Sequence, residues 1–214
     1  MSAEIHETIK EIKKSLRLSM NGVVSTLQRR QGLDYKINFG VEIPRLKRIA
    51  ASYTKDAGLA DALWQENIRE CKILAILLLP EKDYSMVAEE WVAGTKYTEI
   101  ADHLAMNILC KLPDAVERAL DWCNSKEGLS RYCGYITLSN VYRNGGIMDT
   151  YHETLLIKRV SELLENKCGT FMANCALRTL SKYLEHTPAA AARMMESCKG
   201  VPLEVAETIQ NFTL

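Results

Sequence analysis

Apolar residues recur every three to four positions along most of the chain, which is the spacing of one face of an α-helix. In the first such stretch, residues 4–19, Ile5, Ile12 and Leu16 share this spacing. Few runs alternate with period two, so signals for β-strands are nearly absent. The pattern therefore predicts an all-α protein.

Glycine and proline residues interrupt the periodic stretches and set the limits of the predicted helices. Pro44 lies at a predicted helix start, where its missing N–H costs nothing. Beyond a helix at 4–19, a short one that ends near Gly32 and one that starts at Pro44, the pattern predicts helices at 59–66, 68–79, 83–93, 96–111, 113–124, 129–143, 150–167, 171–186, 188–198 and 202–211. The short loops between them predict antiparallel neighbours.

The longer helices begin roughly 30 to 40 residues apart, close to the period of HEAT and armadillo repeats. In such repeats each helix pair buries its apolar face only by stacking on the next pair. We therefore expect residues 1–214 to form a single domain, a right-handed solenoid of antiparallel helix pairs with a concave surface. A four-helix bundle is the alternative architecture, but the chain has too many helices for it.

The composition excludes several classes of protein. The chain has 214 residues, of which 47% are apolar and 25% are charged, and this fits one globular domain. No apolar run approaches the roughly 20 residues of a membrane span, and the first residues lack the apolar core of a signal peptide. We therefore expect a cytoplasmic protein with no membrane segment.

The candidate chemistry is limited. The seven cysteines are odd in number and never spaced as Cys-x-x-Cys, so we expect reduced, buried thiols rather than a metal or redox site. No Walker loop, dinucleotide glycine motif, His-Glu-x-x-His or nucleophile elbow occurs. The sequence therefore predicts neither a cofactor nor a metal.

Charge is balanced over the whole chain but not along it. The 27 Lys/Arg match the 27 Asp/Glu, yet residues 1–55 carry 11 basic against 5 acidic residues. Arg45, Lys47 and Arg48 form the densest basic cluster. They are candidates for contacts with nucleic-acid phosphates, and the alternative is the solvated face of an amphipathic helix.

Two blocks of sequence resemble a known family. Residues 38–50 read Asn-Phe-Gly-Val-Glu-Ile-Pro-Arg-Leu-Lys-Arg-Ile-Ala, and residues 62–70 read Ala-Leu-Trp-Gln-Glu-Asn-Ile-Arg-Glu. They are similar to the Gly-Val-x-x-Pro-x-Leu-(Arg/Lys)-x-Ile-Ala and Leu-Trp-x-x-x-x-(Arg/His)-Glu patterns of the DNA alkylation repair family of HEAT-like-repeat proteins. The resemblance implies a DNA glycosylase that excises positively charged purines, such as 3-methyladenine and 7-methylguanine, from double-stranded DNA without a cofactor.

The resemblance also implies a catalytic carboxylate. A carboxylate suits this reaction because it stabilises the sugar cation that develops as the glycosidic bond breaks. The family has an Asp at the end of a Trp-Trp-Asp-x-x-Asp run, and the matching residues 97–102 are Tyr-Thr-Glu-Ile-Ala-Asp. On this match Asp102 is catalytic and Tyr97 stacks on a base or sugar. The alternative for Asp102 is a cap or an ion pair within its repeat.

Further candidate positions lie on later helices. The resemblance implies basic residues near the DNA backbone at Arg131 and Arg178, and the alternative for both is an ion pair between repeats. We also expect one tyrosine of the 129–143 helix to line the groove. We interpret the three tryptophans as core residues.

The chain departs from the family pattern at its aromatic positions. Tyr97 and Thr98 occupy the positions of two family tryptophans, and Cys175 occupies that of a third, so two of three aromatic contacts are lost. This departure favours a second hypothesis, a non-catalytic helical-repeat scaffold that binds a protein or a non-standard nucleic acid structure.

Overall fold

Helices make up all the regular secondary structure of the described chain. The computed structural model describes residues 3–196, 198 and 200–213. Within these residues the one extended pairing is an isolated parallel bridge between Ile37 and Ile68. Met1 and Ser2 lie outside the described residues. The predicted all-α class is confirmed.

The helices follow the predicted order along the chain. They are α1 (Ala3–Leu18), α2 (Gly22–Arg30), α3 (Ile43–Ala50), α4 (Ala57–Trp64), α5 (Arg69–Leu78), α6 (Tyr84–Ala93), α7 (Thr98–Asn107), α8 (Ala115–Cys123), α9 (Gly128–Arg143), α10 (Thr150–Glu165), α11 (Thr170–His186), α12 (Ala189–Glu196) and α13 (Leu203–Gln210). The predicted 96–111 helix is shorter because the backbone leaves helical geometry at Ile108, and Leu109–Lys111 form a 3-10 turn. Residue 197, near the predicted end of α12, lies outside the described residues.

The chain divides into two compact units, Met1–Ala88 (unit 1) and Glu89–Leu214 (unit 2). The single HEAT-like domain over residues 1–214 stays a prediction. No helix in the described part of the chain is long and apolar enough to cross a membrane. All seven cysteines are free thiols. Their predicted burial is confirmed for Cys71, Cys123 and Cys133 and is wrong for Cys110, Cys168, Cys175 and Cys198, which are partly exposed.

In unit 1, α4 packs along α5, while α3 contacts α5 and α1 contacts α4. Each helix contributes its apolar stripe to the shared core. The fully buried residues of this core include Ile12, Leu16, Leu46, Leu63 and Leu74. These contacts are the reason that helices of only eight to ten residues, too short to be stable alone, persist here.

A buried ion pair at the start of α5 holds the loop that precedes α3. Glu70 is fully buried and accepts hydrogen bonds from the backbone N–H groups of Phe39 and Val41, each at 3.2 Å. Arg69 donates to Val41 O at 3.0 Å and to Glu70 Oε1 at 3.1 Å. These partners offset the cost of burying two charges. The Arg-Glu pair of the family-like pattern is therefore structural in this chain.

Gly40 is required by the same loop. Its φ of +67° lies in the left-handed region, and a Cβ at this position would lie 2.3 Å from Asn21 O. Any other residue would have to push the loop away from the start of α2. The glycine of the family-like pattern thus also has a structural reason.

In unit 2, α9 is the central helix and packs against α7, α8 and α11. Gly134 lets α8 approach closely, because a Cβ there would lie 2.6 Å from Ala119 O and from Cys123 N. The three tryptophans of the chain, 64, 91 and 122, are all buried, so their interpretation as core residues is confirmed. Tyr135 and Tyr142 of α9 are also fully buried.

Buried polar contacts fix α11 against its neighbours. Thr179 Oγ1 donates to Tyr135 O at 3.1 Å, which joins α11 to α9. Glu153 on α10 is buried and accepts hydrogen bonds of 2.6 Å from Tyr183 on α11 and from Arg193 on α12. These contacts fix the position of α11 relative to α9. They therefore also fix the backbone positions of the side chains that face solvent where the two helices meet.

Candidate functional site

Asp102 lies in the second turn of α7 and faces α9. Tyr132, near the start of α9, donates a hydrogen bond of 2.7 Å from its hydroxyl to Asp102 Oδ1. The tyrosine is buried, whereas Asp102 keeps an exposed surface. The contact differs from the cap or ion pair expected as the alternative for Asp102. It fixes the orientation of a carboxylate that solvent and ligands can reach.

The environment changes the proton affinity of both groups. Burial of its carboxyl end raises the pKa of Asp102 above its ordinary value, and the hydrogen bond from Tyr132 opposes part of that rise. Burial, and then the bond to Asp102, raise the pKa of Tyr132 far above that of a free phenol. The tyrosine therefore stays protonated at neutral pH and remains the donor of this pair.

An open cleft of about 570 Å³ lies between α9 and α11 next to this pair. Phe171, on the first turn of α11, stacks on Tyr132 with ring centroids 5.5 Å apart and planes inclined by 28°. Arg178 lies seven residues later on the same helix face. The residues that line the cleft are Tyr132, Ile136, Ser139, Phe171, Asn174, Cys175, Leu177, Arg178 and Ser181.

Cys175 lies on the same face of α11, between Phe171 and Arg178. Burial, and then the charge of Asp102, raise the pKa of its thiol to about 11, while the charge of Arg178 acts in the opposite direction. The thiol is therefore protonated at neutral pH and is a poor nucleophile. The charges of Asp102 and Arg178 thus act on this thiol in opposite directions.

Two other predicted site residues of unit 2 lie elsewhere. Tyr97 is the half-buried residue immediately before α7 and does not line the cleft. Arg131 donates two hydrogen bonds, of 2.9 and 2.7 Å, to Ser125 O in the loop between α8 and α9. It lines a different cavity, together with Arg159. Their predicted DNA contacts stay predictions.

The basic cluster Arg45, Lys47 and Arg48 lies on α3 in unit 1 and is exposed. Arg45 Nε donates to Ser19 Oγ at 3.1 Å, at the end of α1. The exposure of all three residues is compatible with phosphate contacts, and their role stays a prediction.

Phe171 was not among the sequence-predicted site residues. Its signal was its spacing, because it precedes Cys175 by four residues and Arg178 by seven, which places all three on one helix face. Among the α9 tyrosines, Tyr132 lines the cleft, as expected of one of them. Within the described residues, no group of three His, Cys, Asp or Glu side chains is arranged to hold a metal ion.

Comparison with known proteins adds the family and the fold. A solved structure described as belonging to "a new family of proteins related to the HEAT-like repeat DNA glycosylases with affinity for branched DNA structures" superposes with a TM-score of 0.70 at 16% sequence identity. The match covers 94% of this chain and 92% of the other, so the predicted HEAT-like fold is confirmed. No curated protein sequence matches the chain. The family model described as DNA alkylation repair enzyme matches residues 7–188, and the chain therefore belongs to the DNA alkylation repair family.

Proposed function

We propose that the chain binds duplex DNA and that Asp102 promotes the excision of positively charged alkylated purines by hydrolysis of the N-glycosidic bond. Family membership supports DNA as the ligand. The observation that carries the proposal is the position of the carboxylate, held by Tyr132 beside an open cleft that also contains Arg178.

The charge of Asp102 favours this reaction over simple DNA binding. A carboxylate repels phosphates and weakens the binding of ordinary DNA, whereas it attracts a positive group. A 7-methylguanine base is cationic, and the sugar becomes cationic as the base leaves. A fixed carboxylate next to that charge stabilises the transition state without reorganising.

The proposed roles of the other residues follow from the same geometry. Arg178 contacts a phosphate from the rim of the cleft, and Tyr97 remains a candidate for a contact with the sugar or base. Arg45, Lys47, Arg48 and Arg131 are proposed as additional phosphate contacts. The proposed reaction needs no cofactor, and a DNA substrate fits the cytoplasmic location expected from the sequence.

The test is release of 7-methylguanine from methylated duplex DNA, measured by chromatography of the free base. We expect release by the native chain and a loss of about 100-fold or more in the Asp102→Asn variant. Asp121→Asn, which alters an exposed carboxylate on α8, is the matched control and should retain the native rate. No release by the native chain would contradict the proposal.

A second candidate function is recognition of branched DNA without base excision. Thr98 and Cys175 occupy aromatic positions of the family pattern, and the structurally similar protein has affinity for branched DNA. Both observations favour this function.

The charge of unit 2 is a third observation in its favour. Unit 2 carries 13 Lys/Arg against 16 Asp/Glu, which disfavours tight binding to an extended duplex. Tighter binding to a three-way junction than to a duplex of the same length, with no base release, would select this function. Binding to neither DNA would favour a protein partner.

A further inference from the structure

Phe171 is a large apolar residue of unit 2 that is exposed to solvent. The residue is 62% exposed, although a phenylalanine in a folded protein ordinarily buries most of its surface. Its ring stacks on Tyr132, so its other surfaces remain available to solvent. Tyr132 is buried and its hydroxyl is bound to Asp102. The supporting ring is thus held by packing and by a hydrogen bond, and the outer ring is accessible.

We infer that the Phe171–Tyr132 pair is a stacking platform for an unpaired DNA base. The inference rests on the proposed DNA binding but not on base excision. Every nucleobase has a flat face that stacks on an aromatic ring, and proteins that bind single-stranded segments combine such rings with nearby cations. Phe171 supplies the ring, and its rigid support by Tyr132 lowers the entropy cost of binding.

Arg178 completes this combination on the same face of α11. Seven residues of helix separate it from Phe171, which is about 10 Å along the axis. Both line the same open cleft, so one short segment of DNA strand contacts both. A base that stacks on Phe171 then has its phosphate backbone directed along α11 towards a positive charge.

The base must have an uncovered face, whereas a base within a duplex is covered on both faces by its neighbours, and an unpaired base meets this need. The fitting ligands are therefore DNA branch points, gaps and extruded nucleotides.

The experiment uses a three-way DNA junction with one unpaired 2-aminopurine at the branch point, and a fully paired duplex of the same sequence. Emission of 2-aminopurine falls when the base stacks on a protein ring, so the titration reports both affinity and stacking. The variants are Phe171→Ala and Phe171→Trp. Tyr151→Ala is the matched control, because Tyr151 is 70% exposed in the same unit and does not line the cleft.

We expect the native chain to quench the branch-point emission and to bind the junction more tightly than the duplex. Phe171→Ala should lose the quenching and bind the junction about tenfold more weakly, with little change for the duplex. Phe171→Trp should restore both, and Tyr151→Ala should behave as native. Thermal unfolding of the variants verifies that each one is folded.

The possible failures are distinct. If the native chain binds DNA but Phe171→Ala quenches and binds as the native chain does, the platform is wrong and DNA binding stands. If the native chain binds neither junction nor duplex, both the platform and the proposed DNA binding are wrong. Loss of junction binding in Tyr151→Ala to the same extent as in Phe171→Ala would also overturn the platform.

Discussion

The hydroxyl of Tyr132 lies 2.7 Å from Asp102 Oδ1 and donates a hydrogen bond that connects α9 to the carboxylate of α7. The opposite part of this residue, its ring, supports Phe171. One buried tyrosine therefore orients the carboxylate and holds the exposed aromatic ring of the cleft. Since the two contacts use different atoms, each can be removed separately.

The Tyr132→Phe variant removes the hydroxyl and keeps the ring. The hydrogen bond lowers the pKa of Asp102 against the burial that raises it, so its loss will raise that pKa further. Because the proposed reaction needs the ionised carboxylate, the acidic limb of the pH–rate profile for base release will move to higher pH. A ¹³C NMR titration of the Asp102 carboxyl gives the same shift independently of activity. An unchanged titration would contradict the assigned role of the hydroxyl.

Replacement of Asp102 by Asn should not destabilise the protein at neutral pH. The folded state raises the carboxyl pKa above the ordinary 3.8, so ionisation of Asp102 opposes folding. This cost in folding free energy is absent when the pH is below 3.8, and it is complete when the pH is above the raised pKa of Asp102 in the folded protein. We therefore expect the Tm of Asp102→Asn to equal or exceed the native Tm at pH 7, and any gain to vanish in acid.

The pKa of Asp149 is lowered, whereas that of Asp102 is raised, so replacing Asp149 provides a comparison. Its side chain accepts a hydrogen bond from His152 N at the start of α10, and this contact lowers its pKa. Asp149→Ala should lower the Tm at neutral pH because it removes the helix cap. A Tm of Asp102→Asn that falls as far as that of Asp149→Ala would show that Asp102 has a mainly structural role.

Arg178→Ala should change the salt dependence of DNA binding. One phosphate contact contributes about one unit to the slope of log K against log salt concentration, so the variant should lose about that amount. Lys158→Ala is the control, since Lys158 is an exposed cation on α10 that does not line the cleft. The measurement is a series of fluorescence-anisotropy titrations at several salt concentrations. Equal slopes for native and Arg178→Ala would exclude the phosphate contact.

Glu70→Ala should strongly destabilise unit 1. It removes the acceptor of two backbone N–H groups and breaks the buried ion pair with Arg69, which costs about 3–5 kcal/mol. Glu66→Ala removes a partly exposed ion pair of 2.7 Å with Lys13 and should cost less than about 1 kcal/mol. Urea denaturation compares the two. Similar losses would contradict the interpretation of Glu70 as a buried structural anchor.

The helices could be predicted from the sequence because their signal is local. Apolar spacing and the placement of glycine and proline depend only on neighbouring residues, so most helix limits lie within a few positions of the observed ones. The exception at Ile108 reflects a local change of backbone angles that apolar periodicity does not report.

The cleft could be predicted only in part. The match to the family pattern singled out Arg178, which lines the cleft, and Asp102, which is bonded to the cleft residue Tyr132. The contact between Asp102 and Tyr132 joins residues 30 positions apart, and its geometry depends on how α7 packs against α9. The sequence pattern contains no information on that packing, which is why neither the bond nor the stack on Phe171 was foreseen.

The residues that carry the sequence resemblance to the family have a different role from the residues of the cleft. Gly40 accommodates a left-handed backbone, and Arg69 and Glu70 hold the adjacent loop. A motif can therefore be specific for a family and still report its fold rather than its activity. In this chain the residues proposed to act on DNA at the cleft belong to unit 2.

The most direct test of the central claim is amide hydrogen exchange of the native chain with and without DNA. If DNA occupies the cleft, slowed exchange will concentrate in residues 98–102, in the first half of α9 and in residues 171–178, with both a junction and a methylated duplex as ligands. Protection limited to α3, or no change around Asp102 at saturating DNA, would contradict the assignment of this cleft as the DNA site.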